Sequence, residues 1–435
     1  MDLHIRPSRV KGSFSVPGSK SHTIRGIVAG LLAEGESTLH APLVSQDTLS
    51  VLRAAERLGA AVERDERERF WRIGGTGGEL KLPESPLDLG NSGTGLRILT
   101  AVAALADGRI AFDGDGSLRT RGMAGLLKAL ESLGARCEST GGRAPLAVTG
   151  PIHGGSTTVD GTGSQFLTAL LMTLPLLKEP SQLDLDFLNE EAYVRITLNW
   201  LERCGIDGVK VTEDRLHYTV PGGRRYRAFE RVIPADFSTA AFPLAAGLIA
   251  GEGVEILNLD FDDLQGDKRV FDFLAEAGGR IERAPSRVAV YPSSLRGRTF
   301  DLNGTPDALP IMAVLGAFAE GETRLVNAAQ ARLKETDRIR CMTEQLARMG
   351  ADVEELPDGM VIRGGSGLHG ARLSGCGDHR IVMSLAVAAL AAEGASVIEG
   401  AEDAGVTWPE FIPSFLRCGA EFFLSSGSSE EGERH

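Results

Sequence analysis

The sequence predicts an α/β protein made of six copies of one unit of about 72 residues, three to a domain, with buried helices inside and sheets outside. Three observations carry this. A short phrase centred on glycine recurs at Leu58-Gly59-Ala60, Leu133-Gly134-Ala135, Cys204-Gly205-Ile206, Ala277-Gly278-Gly279, Met349-Gly350-Ala351 and Cys418-Gly419-Ala420, and its glycines are 75, 71, 73, 72 and 69 residues apart. Each glycine ends an amphipathic helical stretch, such as Asp47 to Arg57, Met123 to Ser132 or Asp337 to Arg348. Once per period there is also a stretch apolar on nearly all sides: Ile24 to Leu32, Leu96 to Leu105, Phe166 to Leu177, Ala240 to Ala250, Leu309 to Ala319 and Ile381 to Ala392.

Glycine at the end of an amphipathic helix supplies the left-handed residue that closes it, and the β-branched or aromatic residues that follow read as a strand. Helices apolar all round are buried. Each runs through Gly or Pro into a strand, as in Gly35-Glu36-Ser37-Thr38-Leu39 and Gly321-Glu322-Thr323-Arg324-Leu325. The unit therefore reads strand, buried helix, strand, outer helix, two strands. The break between domains falls near 228–235, before Pro234, giving an N-terminal domain of 19–230 and a C-terminal one of 1–18 with 231–424. Residues 1–18 form a strand without a preceding unit, free to pair with the last one. The Ser/Gly/Glu-rich tail, 425–435, is expected to be disordered.

At 435 residues the chain is too long for one compact core. Its first residues, Met1 to Pro7, lack the apolar core of a signal peptide, and its longest apolar run is broken by Thr168, Thr173 and Pro175. A cytoplasmic protein without a membrane partner is expected. Five cysteines (137, 204, 341, 376, 418) form no C-x-x-C pair and point to free thiols in a reducing compartment. The scattered histidines show no metal-ligand spacing, so no metal is expected. A net charge of −13 argues against a nucleic-acid partner. Anionic substrates would then need local positive charge against a negative global field.

The helix starts carry the chemistry. In order, the apolar helices open with Gly18-Ser19-Lys20-Ser21-His22-Thr23-Ile24-Arg25, Asn91-Ser92-Gly93-Thr94-Gly95-Leu96-Arg97, Gly161-Thr162-Gly163-Ser164-Gln165, Asp236-Phe237-Ser238-Thr239, Thr305-Pro306-Asp307-Ala308 and Gly375-Cys376-Gly377-Asp378-His379-Arg380. Backbone N–H groups left bare by glycine at a helix start make an anion site. Asp236, Ser238 and Asp378 are explained as N-caps. Capping does not explain Lys20, Arg25, Arg97 and Arg380, because a cation in the first turn opposes the helix dipole. It fits when an anion sits between cation and amides. Lys334-Glu335-Thr336-Asp337-Arg338, read as opening the outer helix of the fifth unit, has a plainer alternative as a surface ladder worth under about 1 kcal/mol.

Together, Pro17-Gly18-Ser19-Lys20-Ser21 with Arg25, Gly90-Asn91-Ser92-Gly93-Thr94 with Arg97, Ser117-Leu118-Arg119, Ser164-Gln165 with the apolar run after it, Pro306-Asp307, Lys334-Glu335-Thr336-Asp337-Arg338 and Asp378-His379-Arg380 occur in the order and spacing of the enolpyruvyl transferases. The chain resembles that family from about residue 5 to 424. The resemblance implies a two-domain inside-out α/β barrel, each domain three βαβαββ units, with the substrates held between domains. It is most similar to the members that move the enolpyruvyl group of phosphoenolpyruvate to shikimate 3-phosphate. On that basis Ser21, Arg25, Ser164, Gln165, Asp307 and Lys334 would hold shikimate 3-phosphate. Lys20, Gly93, Arg119, Gln165, Arg338 and Arg380 would hold phosphoenolpyruvate. Glu335 would protonate the enol methylene, Asp307 would take the proton of the attacking hydroxyl with help from Lys20, and Arg119, Lys20 and the amides would stabilise the departing phosphate. No metal or organic cofactor is implied, and a monomer is expected.

Three positions depart from the family pattern. Glu190 stands where many members have a phosphate-binding Ser, Gly163 replaces the first Ser of a Ser-Ser-Gln triplet, and Val406 stands where a Lys is common. Two other readings share the same fold. Members acting on UDP-N-acetylglucosamine typically have Lys-Asn in place of Lys20-Ser21 and a Cys where this chain has Ser117-Leu118-Arg119. A non-catalytic relative would have lost Asp307 and Glu335, which are present. Gly18-Ser19-Lys20-Ser21 lacks the adjacent Gly-Lys of a P-loop.

Overall fold

In the computed structural model, residues 1–65, 67 and 69–426 are described. The chain divides into two compact units, one of Pro17–Asp236 with Asp260–Gly266, the other of Met1–Val16, Phe237–Leu259 and Asp267 onward. Twelve α-helices alternate with short strands among the described residues: α1 Lys20–Leu32, α2 Gln46–Arg57, α3 Gly93–Ala103, α4 Ala124–Ser132, α5 Ser164–Thr173, α6 Glu191–Arg203, α7 Phe237–Ala250, α8 Arg269–Glu276, α9 Leu309–Phe318, α10 Arg338–Arg348, α11 His379–Ala391 and α12 Phe411–Arg417.

Each unit is by itself an inside-out α/β barrel. The odd-numbered helices are buried on almost every side, and within their units α3 packs on α1 and α5, and α7, α9 and α11 pack on one another. The even-numbered helices bury one face only. Three four-stranded sheets cover each unit, and all six share one order: an edge strand parallel to its neighbour, then two antiparallel strands. In the fifth repeat, for example, Thr299–Asp301 runs parallel to Gly321–Val326, which pairs antiparallel with Gly359–Gly364 and that with Asp352–Leu356.

Where a repeat lacks a strand, another part of the chain supplies it. Glu230–Val232 provides the parallel edge beside Glu36–His40, and Val10–Ser15 does the same beside Gly251–Leu257. Asp2–Arg6 lies between Ser396–Glu399 and Glu421–Ser425, so the first strand completes the last sheet. The exchange pairs the amides and carbonyls that the neighbouring strands would otherwise leave bare. Ser425, read from sequence as the start of the tail, pairs with Asp2 in that sheet; 427–435 lie outside the described residues.

All six repeat glycines have positive φ, from +81° at Gly205 to +115° at Gly59. Each sits in the same closure. The Gly59 N–H donates to Glu56 O and the Ala60 N–H to Ala55 O, and the pattern recurs at 134, 205, 278, 350 and 419. This pair of bonds satisfies carbonyls that the helix end leaves bare and turns the chain into the next strand. α5 stops at Thr173, short of the Leu177 expected from its apolar run. Pro175 cannot donate to the helix ladder, and Leu174–Leu176 tightens into a 3-10 turn.

A Cβ at Gly134 would meet only His153, at 3.5 Å, so replacement is resisted by backbone conformation (φ +105°) and not by crowding. Gly134→Ala should lower the free energy of unfolding by about 1–2 kcal/mol, read from the denaturant midpoint at unchanged slope.

Candidate active site

The first three helix starts belong to the unit of residues 17–236. At α1 the Lys20 N–H donates to Asp236 Oδ2 at 3.2 Å, and the Lys20 ammonium reaches the buried Asp47 carboxylate at 3.2 Å. Arg25 points inward, 2% exposed. Its guanidinium donates to Thr197 Oγ1 (2.9 Å), Thr168 Oγ1 (3.3 Å), Tyr193 O (3.1 Å) and Ser21 O (3.0 Å), and no carboxylate pairs with it among the described residues. Burial pulls its pKa down to about 10. A guanidinium out of water with only neutral partners is costly and is the arrangement an anionic ligand would complete.

At α3, Ser92 caps the helix through the Gly95 N–H. An added Cβ on Gly93 would lie 2.6 Å from Arg121 Nη1 and 3.0 Å from Arg97 Nη1, so glycine here makes room for two guanidiniums. Arg97 also donates to Gln165 Oε1, and the Gln165 amide donates to Thr94 Oγ1 at 3.1 Å, which ties the start of α5 to that of α3.

The structure places Arg119, a candidate from the sequence, in a surface ion pair. Arg119 is half exposed and grips Asp113 with two bonds of 2.8 and 2.6 Å. Arg121 is the buried one, donating to Asn91 O (3.1 Å), Asn91 Oδ1 and Ser117 Oγ (3.2 Å) beside Gly93. Leu118–Thr120 is a 3-10 turn, which sends side chains two residues apart in different directions. With Leu118 anchored in the core, Arg121 turns in and Arg119 out.

Glu190 folds onto the start of α5. It is 2% exposed with φ +59°, and its Oε2 accepts from the Ser164 N–H at 3.3 Å and from Ser164 Oγ at 3.0 Å. The anion position at this helix is thus held by the protein's own carboxylate. Gly163 precedes it in extended conformation, and Val406 ends the short helix Ala401–Val406 in the other unit.

In that other unit the remaining candidates gather around one residue. Arg338 is 1% exposed and donates to Asp307 Oδ1 (2.8 Å), Glu335 Oε2 (2.7 Å) and both oxygens of Asp378 (2.7 and 3.3 Å). Arg380 reaches Asp307 Oδ2 at 3.0 Å, and Lys334 lies 3.8 Å from Oδ1. Asp378 also caps α11 through the Arg380 N–H, so its capping role is only half of what it does. Lys334 to Asp337 lead into the outer helix; α10 begins at Arg338, with Asp337 as its cap. Sequence reasoning missed Asp47, Arg121 and Asp378 as partners of the site. Only Asp378 left a signal, its place beside Arg380.

Burial opposes the charge on Asp307, but Arg380, Lys334 and Arg338 outweigh it and hold the carboxyl ionised far below its ordinary 3.8. Between those two values the native protein binds fewer protons than the unfolded chain. This contribution to stability is therefore complete above 3.8 and is lost as the pH falls toward the depressed native value. Asp307→Asn should unfold at lower denaturant at pH 7, by about 3 kcal/mol, and should show a shallower loss of stability on acidification than the parent chain.

Among the described residues, no helix is long and apolar enough to cross a membrane, and no group of His, Cys, Asp and Glu is arranged to hold a metal ion. A family model described as EPSP synthase (3-phosphoshikimate 1-carboxyvinyltransferase) matches residues 5–415. The chain is 45% identical over 423 residues to the 3-phosphoshikimate 1-carboxyvinyltransferase of Acetivibrio thermocellus, covering 97% of this chain and 99% of that one. Among solved structures it is similar to an EPSP synthase from Acinetobacter baumannii, with a TM-score of 0.81, 27% identity and coverage of 98% and 100%. It also shares its fold with the enolpyruvyl transferase NikO of Streptomyces tendae, at a TM-score of 0.76, 17% identity and coverage of 97% and 98%.

Proposed function

The chain belongs to the EPSP synthase family, and from that membership we propose how its own residues transfer the 1-carboxyvinyl group of phosphoenolpyruvate to the 5-hydroxyl of shikimate 3-phosphate, a step toward chorismate and the aromatic amino acids. The observation that carries the reading is the pair of carboxylates, Asp307 and Glu335, held on neighbouring nitrogens of the Arg338 guanidinium.

Glu335, held by Arg338 through Oε2, serves as the acid that delivers a proton to the methylene carbon of phosphoenolpyruvate. The adjacent carbon becomes electrophilic and is attacked by the 5-hydroxyl, whose proton passes to Asp307. The tetrahedral intermediate then expels phosphate, which leaves with the proton held by Asp307, and its methyl group returns a proton to Glu335, restoring the double bond and both residues. Lys20 and Arg121 stabilise the charge on the leaving phosphate, with the α3 amides beside Gly93. Arg121 takes the role that the family resemblance gave to Arg119. Arg380 and Lys334 bind substrate carboxylate and hydroxyl groups, while Arg338 orients acid and base.

On the acceptor, Arg25, Ser21, Ser164 and Gln165 take the phosphate and ring. The carboxylate-free surroundings of Arg25 support that assignment. Glu190 must release the Ser164 hydroxyl and amide when a phosphate arrives. Five unpaired thiols support a reducing, cytoplasmic setting. The chemistry balances without a metal or organic cofactor, and we read the working species as a monomer.

Phosphate release from phosphoenolpyruvate should require shikimate 3-phosphate; equal release with unphosphorylated shikimate would sink the acceptor assignment. Arg121→Ala should raise KM for phosphoenolpyruvate and lower kcat/KM by on the order of 100-fold, whereas Arg119→Ala should stay within about threefold. Steady-state kinetics with the two variants side by side decide which arginine serves the site, and the reverse ranking would restore Arg119.

A further inference from the structure

Three side chains on one face of α10 meet three residues of the turn that leads into α11, in antiparallel register. Arg338 binds Asp378, Gln345 Oε1 accepts the Ser374 N–H at 2.9 Å, and between these ties the same register sets Cys341 opposite Cys376. Positions 338, 341 and 345 follow the i, i+3, i+7 spacing of a single helix face. The Cys376 thiol donates to Ser374 O at 3.6 Å, and Thr336 Oγ1 lies 3.3 Å from the Cys341 sulfur. Cys376 is held at φ +53°, with its N–H on Ser374 Oγ at 3.1 Å. Both thiols are only partly buried.

We infer that Cys341 and Cys376 form a peroxide-reactive dithiol whose oxidation to a disulfide clamps the Asp378 turn to α10 and disables the site organised by Arg338. Its effect on turnover rests on the activity proposed above; the cross-link does not. In the first step the Cys341 thiolate attacks a peroxide oxygen, the O–O bond breaks, and a sulfenic acid and water result. Cys376 then gives up its proton and attacks the Cys341 sulfur, expelling the second oxygen as water. Two thiols and one hydrogen peroxide thus become one disulfide and two waters.

Cys376, with help from Thr336, draws the Cys341 pKa below the ordinary thiol value against burial and the charges of Asp378 and Glu344, which favours its thiolate. The other cysteines are shifted the opposite way. Burial pushes Cys137 up to about 11 and Cys204 to about 12, and raises Cys418. Joining the two sulfurs moves the turn that carries Asp378, and Asp378 shares its guanidinium with Asp307 and Glu335. Small displacements of catalytic groups reduce rates steeply.

The test treats the reduced full-length protein with a small excess of hydrogen peroxide. Intact mass and peptide mapping are read alongside turnover, before and after dithiothreitol. The expected result is the loss of two hydrogens, one Cys341–Cys376 cross-link, a fall in turnover of about tenfold or more, and recovery with dithiothreitol. Cys341→Ser and Cys376→Ser should keep turnover when untreated and lose peroxide sensitivity, with Cys341→Ala as a second variant should a serine impair folding. Absence of that cross-link, a cross-link with turnover unchanged, or undiminished sensitivity in the variants overturns the inference. A reduced protein that forms the cross-link yet never turns over the two substrates counts against the proposed activity and leaves the dithiol standing.

Discussion

A guanidinium cut off from water and shared among three carboxylates is the constraint on which the C-terminal unit of this chain depends. Arg338 has almost no contact with solvent, and Asp307, Glu335 and Asp378 reach it from three stretches that are far apart in sequence. Removing one such ion from water costs several kcal/mol, so the fold tolerates it only when the geometry of its partners is nearly complete. That requirement works in reverse as well. Because the arginine must be satisfied, Asp307 and Glu335, the proposed base and acid, cannot drift, and their spacing is fixed by the fork of a single planar group. A lysine would conserve the charge and lose that spacing.

The repeat explains how these partners arrive together. Every unit places the first turn of its buried helix at the same point of the same topology, so three helix starts converge within each compact unit. Asp307 precedes α9 and Asp378 precedes α11, while the Lys334–Asp337 segment leads into α10. In the unit of residues 17–236 the same positions deliver Lys20, Gly93 and Ser164. The helices need no polar face of their own, because chemistry is confined to their ends and the rest of each helix is core.

Much of this was legible in the sequence because it depends on local rules. A glycine that must adopt positive φ at every helix end leaves a period that can be counted, and Gly59, Gly134, Gly205, Gly278, Gly350 and Gly419 all do so. Helices apolar on every side announce their burial. What spacing could not supply was direction. Arg119 and Arg121 are chemically alike and two residues apart, and only the 3-10 geometry around buried Leu118 separates the exposed one from the buried one. Glu190 stands where many family members have a Ser, and its left-handed backbone, which turns the carboxylate onto Ser164, has no sequence marker. The contact of Cys341 with Cys376 is a tertiary event, invisible to cysteine spacing.

These buried charges also change what binding means for the proposed reaction. At α5 the anion position holds Glu190, at α1 the ammonium of Lys20 lies on Asp47, and around Arg338 three carboxylates face Lys334, Arg338 and Arg380. On the proposed assignment, substrates exchange with protein groups and do not enter bare cationic holes. The net gain from such an exchange is smaller than the contact list suggests, since each new bond replaces an old one. Specificity gains instead, because a ligand that reproduces the geometry only in part leaves a buried charge without its former partner. Arg25 is the exception, surrounded by hydroxyls and carbonyls with no carboxylate to displace. An anion that reaches it meets donors already oriented and a desolvation cost already met by folding, which is the condition under which preorganised charge acts most strongly.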